Sequence, residues 1–322
     1  MRAAVHRRFG GPEVVSVEEV PAPEPGADDI LVRVRASTVS VADHRARSRE
    51  LPRGLGALAP IEFGVRSPRH PILGRDVVGV VASVGPRVTT VRPGDEVIAM
   101  LGPRLGAHAE YVCLPAASAI CRKPDGLSCT EAASLVFGGH TALAFLDRGD
   151  VRSGQEVLVN GASGAVGSAL VQLAVHRGAV VTAVCSRGNA DLVRSLGAHR
   201  VIDYTEQDFA RDGSRYDVVA ECVGNAPFER VQDAIRPGGA YLPIITDLRG
   251  MLRSRGAARR TGVEIAATAV APSVTVLTEV ARLAELGALR PVIDSTFELD
   301  DIVDAHRRVA TGRKRGSVAL SI

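Results

Sequence analysis

The sequence predicts an α/β protein in which a doubly wound parallel sheet is inserted into a partly open, antiparallel, barrel-like domain. Three observations carry this: a strand, glycine turn and helix near mid-chain, an alternation of helices and strands after it, and a β-rich stretch before it that the tail rejoins. In the central unit, Val157, Leu158 and Val159 form the continuous apolar run of a parallel strand covered on both faces. Val166, Leu170, Leu173 and Ala174 then recur at helical spacing. Between them, after Gly161, lies Ala162-Ser163-Gly164-Ala165-Val166-Gly167, an A-x-G-x-x-G variant of the dinucleotide fingerprint. Gly164 lets backbone approach a pyrophosphate, Gly167 lets the helix pack on the strand, and peptide N–H groups at the helix start hold the phosphates.

By itself this pattern also fits a glycine turn with no ligand, and its context decides. Gly178 is a C-cap candidate, and residues 180–185 form a second strand at the distance a βαβ unit requires. Ser186-Arg187-Gly188-Asn189 follows, where an NAD site places an acid for the ribose 2′-hydroxyl. An acid repels a 2′-phosphate, whereas a hydroxyl and a guanidinium bind it. NADP(H) is therefore the expected cofactor rather than NAD(H).

Ahead of this unit the chain reads mostly as β. Residues 14–20 alternate apolar and polar, the proline-rich residues 21–26 break the pattern, and residues 30–36 alternate again. Further strands at 77–84, 96–100 and 109–114, separated by Gly-Pro and Pro-Gly turns, make a small antiparallel domain. From about Pro124 the pattern changes to helices alternating with strands: a helix at 190–196, strands at 200–203, 216–222, 239–245 and 263–269, and a helix at 227–235. The helix at 274–286 and the tail 291–322 are assigned back to the first domain, because tail strands do not readily join a completed parallel sheet. The expected division is residues 1–122 with 272–322 for the barrel-like domain, and 123–271 for the dinucleotide-binding domain.

Composition narrows the class. A chain of 322 residues, 46% hydrophobic, buries a substantial core in about two domains. No stretch reaches the ~18 apolar residues of a membrane span, and residues 1–5 run into a strand pattern rather than a signal peptide, so a soluble cytoplasmic protein is expected. A net charge of +3, few aromatics and no Trp argue against a nucleic-acid partner. Cys113, Cys121, Cys129, Cys185 and Cys222 are odd in number and widely spaced, which suits core residues in a reducing compartment better than disulfides or a metal site.

With both halves in view, the chain resembles the medium-chain dehydrogenase/reductase superfamily, and within it the zinc-independent quinone oxidoreductase group related to zeta-crystallin. The resemblance spans nearly the whole length. It rests on residues 71–81 (PILGRDVVGVV), 91–97 (VRPGDEV), 106–112 (GAHAEYV), 137–142 (FGGHTA), the fingerprint, 196–204 (LGAHRVIDY) and 312–316 (GRKRG). It implies a GroES-like fold for the barrel-like domain.

The resemblance also supplies a test for metal. Zinc-dependent members carry a Cys after the second strand and a Gly-His-Glu where this chain has Gly74-Arg75-Asp76, and the matching positions here are Ser40 and Arg75. Neither suits zinc, which takes thiolate, imidazole or carboxylate. The four-cysteine structural lobe is also missing, and His44, His70, His108 and His140 form no ligand cluster, so no metal site is expected.

The same resemblance places Gly164, Ala165 and Val166 at the pyrophosphate, and Ser186, Arg187 and Tyr204 at the 2′-phosphate and adenosine end. Thr141, Val223 and Gly224 lie by it near the nicotinamide, and Arg315 reaches toward the cofactor. Surface or helix-packing roles are the alternatives for Tyr204 and Thr141. Three departures stand out: Ser40 where many relatives have Asn close to the nicotinamide, Arg315-Gly316-Ser317 where they often have Arg-Gly-Lys, and Glu221 where Asp is commoner. Ser40 and Asp43 are the candidate catalytic residues. A reduced enone needs a proton after the hydride arrives, and Asp43, His44 and water are the candidates to supply it; Asp43 equally suits the cap of a following helix.

The implied activity is an NADPH-dependent, zinc-independent reduction of the activated C=C of a quinone, enone or enoyl thioester. Alternatives on the same scaffold are a biosynthetic tailoring enzyme for carbonyl reduction or redox-neutral cyclisation, and a non-catalytic nucleotide-binding protein. The substrate is a small molecule, free or borne on CoA or a carrier. The interrupted segment 51–71 is either a substrate-side cover or a packing loop. Arg249, Arg253, Arg255, Arg259 and Arg260 form either a site for an anionic substrate or a solvated helix face. Finally, residues 262–270 read as an outer strand whose apolar edge needs covering, and a homodimer is expected.

Overall fold

The computed structural model describes residues 1–322. Six parallel strands form one sheet in the spatial order Arg200–Asp203, Val180–Cys185, Glu156–Asn160, Tyr216–Glu221, Ile235–Pro243 and Glu264–Ile265. The first of these six in chain order, Glu156–Asn160, thus lies beside the fourth, Tyr216–Glu221, and the winding reverses between them. A doubly wound sheet opens a ligand crevice at that point, beyond the carboxyl ends of the strands. Val157 and Val159 enter the core on one face of the sheet and Leu158 on the other, which is why the strand is apolar throughout.

The second sheet is built on the long strand Asp29–Val39. Asp76–Val84, Glu96–Met100 and Ala119–Arg122 follow it antiparallel on one side, and Tyr111–Pro115 also pairs with it. On the other side the tail returns: Ser317–Ser321 pairs antiparallel with residues 36–39, and Ile293–Glu298 lies parallel to Ser317–Ser321. Arg2–His6 and Val15–Glu19 make a separate two-stranded ribbon.

Between the sheets runs Cys129–Arg148, started by Ser128 and Glu131 in a reciprocal capping box. Ala132, Ala133 and Val136 pack with Ala36, Val78 and Ile98 of the second sheet. Leu135, Leu143, Phe145 and Leu146 join the core of the first. At Gly138 a Cβ would stand 2.6 Å from the carbonyl oxygen of Ala165, so the glycine sets how closely this helix meets the fingerprint turn.

Two expectations change. The outer strand of the parallel sheet is Glu264–Ile265 rather than residues 262–270. The Arg148 guanidinium donates to the carbonyls of Thr268 and Ala269, so backbone acceptors of the expected edge are already engaged. The helix expected at 227–235 shrinks to Phe228–Val231 and a tight turn over Gln232–Ala234, and the next strand starts at Ile235. No helix is long and apolar enough to cross a membrane, and all five cysteines are free.

Candidate active site

The fingerprint residues form the turn their sequence implies. Gly161 has φ 80°, a left-handed conformation that favours glycine. A Cβ on Gly167 would lie 2.1 Å from the carbonyl oxygen of Gly161, so only glycine lets the helix Ala165–His176 start this close to the strand. Four other helices, Val41–Ser48, Cys129–Arg148, Leu248–Thr261 and Val274–Glu285, have a Ser or Asp side chain accepting from their first turn. The fingerprint helix starts at Gly164 with no side-chain cap. Its first N–H groups and its positive dipole end therefore stay free for an anion, and the site fits a dinucleotide pyrophosphate.

Beside the turn, the Asn189 amide donates to the hydroxyls of Ser163 (3.0 Å) and Ser186 (3.3 Å), linking the fingerprint to the loop after the second strand. Arg187 is exposed and pairs with Glu206 at 3.4 Å. Tyr204 is also exposed and begins the loop next to Cys185. Arg315 extends across to this end of the crevice, donating to the carbonyl of Gly188 at 3.1 Å. Ser186, Arg187, Tyr204 and Arg315 thus gather at one end.

At the switch point, Glu221 is buried. Its Oε1 accepts the backbone N–H groups of Val223 (2.5 Å) and Gly224 (2.7 Å), and its Oε2 accepts from the Asn160 amide at 2.7 Å. Burial pushes this carboxyl up against the pull of those hydrogen bonds. Glu221 holds the 223–224 loop at the carboxyl edge of the sheet, where Val223 remains half exposed. Thr141 lies one turn beyond Gly138 on the same face of its helix and is buried.

Ser40 and Asp43 form a capping box for Val41–Ser48. Asp43 Oδ2 accepts from the Ser40 N–H (2.8 Å) and hydroxyl (2.6 Å), and Oδ1 accepts from the Gly74 N–H at 2.9 Å. Burial would raise this carboxyl, but His108, the Ser40 hydrogen bonds and Arg75 outweigh it and hold it below the ordinary value. Asp43 thus takes the capping role that its spacing offered. His44 is turned toward Arg47 and Glu50.

A small cavity of about 10 Å³ lies here between the antiparallel sheet, the helix Cys129–Arg148 and the start of the fingerprint helix, lined among others by Thr38, Ser40, Asp76, Phe137, Ala165 and Lys314. A larger cavity of about 370 Å³, lined by residues such as Val5, Pro21, Ile72 and Tyr111, shares no residue with it and lies outside the crevice. Asp76 is buried, receives the Thr38 hydroxyl, and leaves Oδ1 without a partner. Burial is the main reason its carboxyl is pushed up to about 7.

Residues 26–125 match the alcohol dehydrogenase GroES-like domain family, and residues 196–320 match the zinc-binding dehydrogenase family. The 2-methylene-furan-3-one reductase of Solanum lycopersicum is 31% identical over 99% of this chain and 79% of its own length. A quinone oxidoreductase of Pseudomonas aeruginosa is 31% identical over 97% of both chains. The solved quinone oxidoreductase of Coxiella burnetii superimposes with a TM-score of 0.88 at 29% identity, covering 100% of this chain and 99% of its own. The chain belongs to the quinone oxidoreductase group of the medium-chain dehydrogenase/reductase superfamily.

Within this quinone oxidoreductase fold, two residues that line the small cavity carried no signal of their own in the sequence. Asp76 was visible only as a departure from Gly-His-Glu, and its proton-holding character depends on burial that a strand pattern does not reveal. Lys314 precedes Arg315 rather than following Gly316, so a search for Arg-Gly-Lys passes over it. The segment 51–71 leaves Leu58, Ile61 and Val65 exposed, and its Arg53 carbonyl accepts from Leu248 N–H at 3.1 Å, so it spans from the antiparallel sheet to the helix Leu248–Thr261. The arginines at 249, 253, 255, 259 and 260 are all exposed on that helix.

Proposed function

We propose that this chain is an NADPH-dependent, zinc-independent reductase of the activated C=C of a quinone, enone or enoyl thioester. The observation that carries the reading is the uncapped helix N-terminus at Gly164, set at the switch point of the sheet and opening toward the cavity that Ser40, Asp76 and Lys314 line. Bound NADPH supplies a hydride. The chain's own residues bind and orient: N–H groups of Ala165 and Val166 meet the pyrophosphate, and Glu221 fixes the loop of Val223 and Gly224 against which a nicotinamide rests. Ser186, Arg187 and Arg315 gather donors for a 2′-phosphate, and Tyr204 offers its ring to the adenosine. Asp76 holds a proton near neutral pH at the cavity and is the group best suited to protonate the reduced substrate, directly or through one water.

Zinc independence is supported by the Ser40 hydroxyl being committed to Asp43, by the cationic Arg75, and by there being no group of three His, Cys, Asp or Glu side chains placed to hold a metal ion. The exposed Leu58, Ile61 and Val65 favour the cover reading of the segment 51–71, and the substrate is accordingly apolar on that side. The domain division stays at 1–122 with 272–322, and 123–271. A homodimer completes the reading, although the outer strand of the parallel sheet is only Glu264–Ile265 and cannot by itself supply a long pairing edge; light scattering that returns a monomer at micromolar concentration removes it. The principal experiment is calorimetric titration with NADPH, followed by its oxidation in the presence of quinones, enones and enoyl thioesters. Binding together with turnover of one of these classes is expected, and absence of NADPH binding overturns the reading.

A further inference from the structure

Of the two lysines in this chain, one is satisfied and the other is not. Lys123 donates to the carbonyls of Pro124 and Leu127 and lies 3.6 Å from Glu96. Lys314 Nζ makes one hydrogen bond, to the carbonyl of Gly316 at 2.6 Å, although an ammonium carries three donors. The carboxylate that acts on it through space, Asp294, is already engaged by the Arg308 guanidinium and the Arg315 N–H. A half-buried cation with no carboxylate of its own is placed to take an anion from outside the chain. Its place names that anion. Lys314 lines the same small cavity as Ala165, the first residue of the uncapped helix, and Gly316 is bound to Ser163 of the same turn at 2.7 Å.

We infer that Lys314 clamps the diphosphate bridge of the dinucleotide against the start of the fingerprint helix, from the side of the C-terminal segment. The inference rests on the NADPH reading above and adds a residue to it. The helix supplies N–H groups and a partial charge; Lys314 supplies the one full positive charge at the cavity wall beside Ala165. Burial and the nearby Arg308 guanidinium lower its amine to about 8, with Asp294 opposing the shift. The clamp is therefore charged at neutral pH and fades as pH rises through that value.

The test compares the wild type, Lys314→Met and Lys314→Arg by calorimetry. The ligands are NADPH and adenosine 2′-monophosphate, which has the 2′-phosphate but no diphosphate. Lys314→Met is expected to weaken NADPH by about ten- to a hundredfold and to leave the monophosphate unchanged. The wild-type Kd for NADPH is expected to rise between pH 7 and pH 9.5, while that of Lys314→Arg stays low and flat. The arginine variant keeps the charge, so a misfolded methionine variant does not blunt the test. Equal losses for both ligands, unchanged NADPH affinity in Lys314→Met, or the same pH profile in Lys314→Arg and wild type each overturn the clamp. A wild type that binds no NADPH at any pH instead overturns the functional reading itself.

Discussion

The backbone N–H of Gly316 donates to the carbonyl of Ser163 at 2.7 Å, so the last turn of the chain is tied to the fingerprint turn. Gly316 has φ 65°, and a Cβ there would stand 2.0 Å from the carbonyl oxygen of Val292. One residue thus positions Lys314 and Arg315 along the crevice while starting the strand Ser317–Ser321.

Gly316→Ala is expected to cost about 1–3 kcal/mol of stability through backbone strain alone, with a further steric loss and weaker NADPH binding. Gly312→Ala is the control, since φ there is 66° but the space beside it is open. Denaturant melts and calorimetry on the pair check this. Equal stability losses in the two variants, with NADPH affinity unchanged, contradict the linkage.

Asp294 anchors the same segment, accepting from Arg308 at 2.6 Å and from the Arg315 N–H at 2.7 Å. Burial pushes its carboxyl up, but Arg308 and the Arg315 N–H outweigh it and hold it at about 2. A folded value below the unfolded one, about 3.9, means stability that is present above pH ~4 and lost as pH falls through about 2. Asp294→Asn should therefore be less stable than wild type at pH 7, with the gap narrowing between pH 4 and pH 2. Thermal melts across that range that keep a constant gap would show that another group is responsible.

The proposed preference for NADPH rests on Arg187 and Arg315 together. Arg187→Ala should weaken NADPH and spare NADH, and a charge-assisted contact is worth roughly 1.5–3 kcal/mol. Arg187→Asp should reverse the preference by adding repulsion. Glu206 now competes for Arg187 at 3.4 Å, so Glu206→Gln should tighten NADPH modestly. Because part of the attraction is screened, added salt should weaken NADPH more than NADH. Equal affinity of the wild type for the two cofactors would refute the assignment.

Active protein should contain no stoichiometric zinc by elemental analysis, and a chelator should leave its activity intact. One tightly held zinc per chain, with activity lost on its removal, would count against the roles given to Ser40 and Arg75.

The cofactor half was the more legible in the sequence. Val157 to Val159 and the glycines at 164 and 167 obey local rules, strand burial and close backbone approach, that act within one βαβ unit. The strands at 96–100 and 200–203 were likewise read to the residue. Residues 262–270 were not, because their apolar pattern suits a strand edge but Arg148, 120 positions away from Thr268, takes its carbonyls. Asp43 offered both a cap and an acid by sequence spacing; the cap is formed, and the Gly74 N–H, 31 positions away, adds a hydrogen bond that no local pattern announces.

What the sequence by itself determined was the pair of sheets, the fingerprint turn and the family, since apolar periodicity, glycine placement and ordered motifs are properties of neighbouring residues. Only the tertiary structure decided which charges face one another. The Asp76 carboxyl is pushed up by its burial beside Thr38, and Asp294, the carboxylate nearest in effect to Lys314, is engaged by Arg308. Desolvation and ion pairing act through space, and the chain brings residues 38, 76, 165 and 314 to one cavity only when both sheets close on the helix Cys129–Arg148.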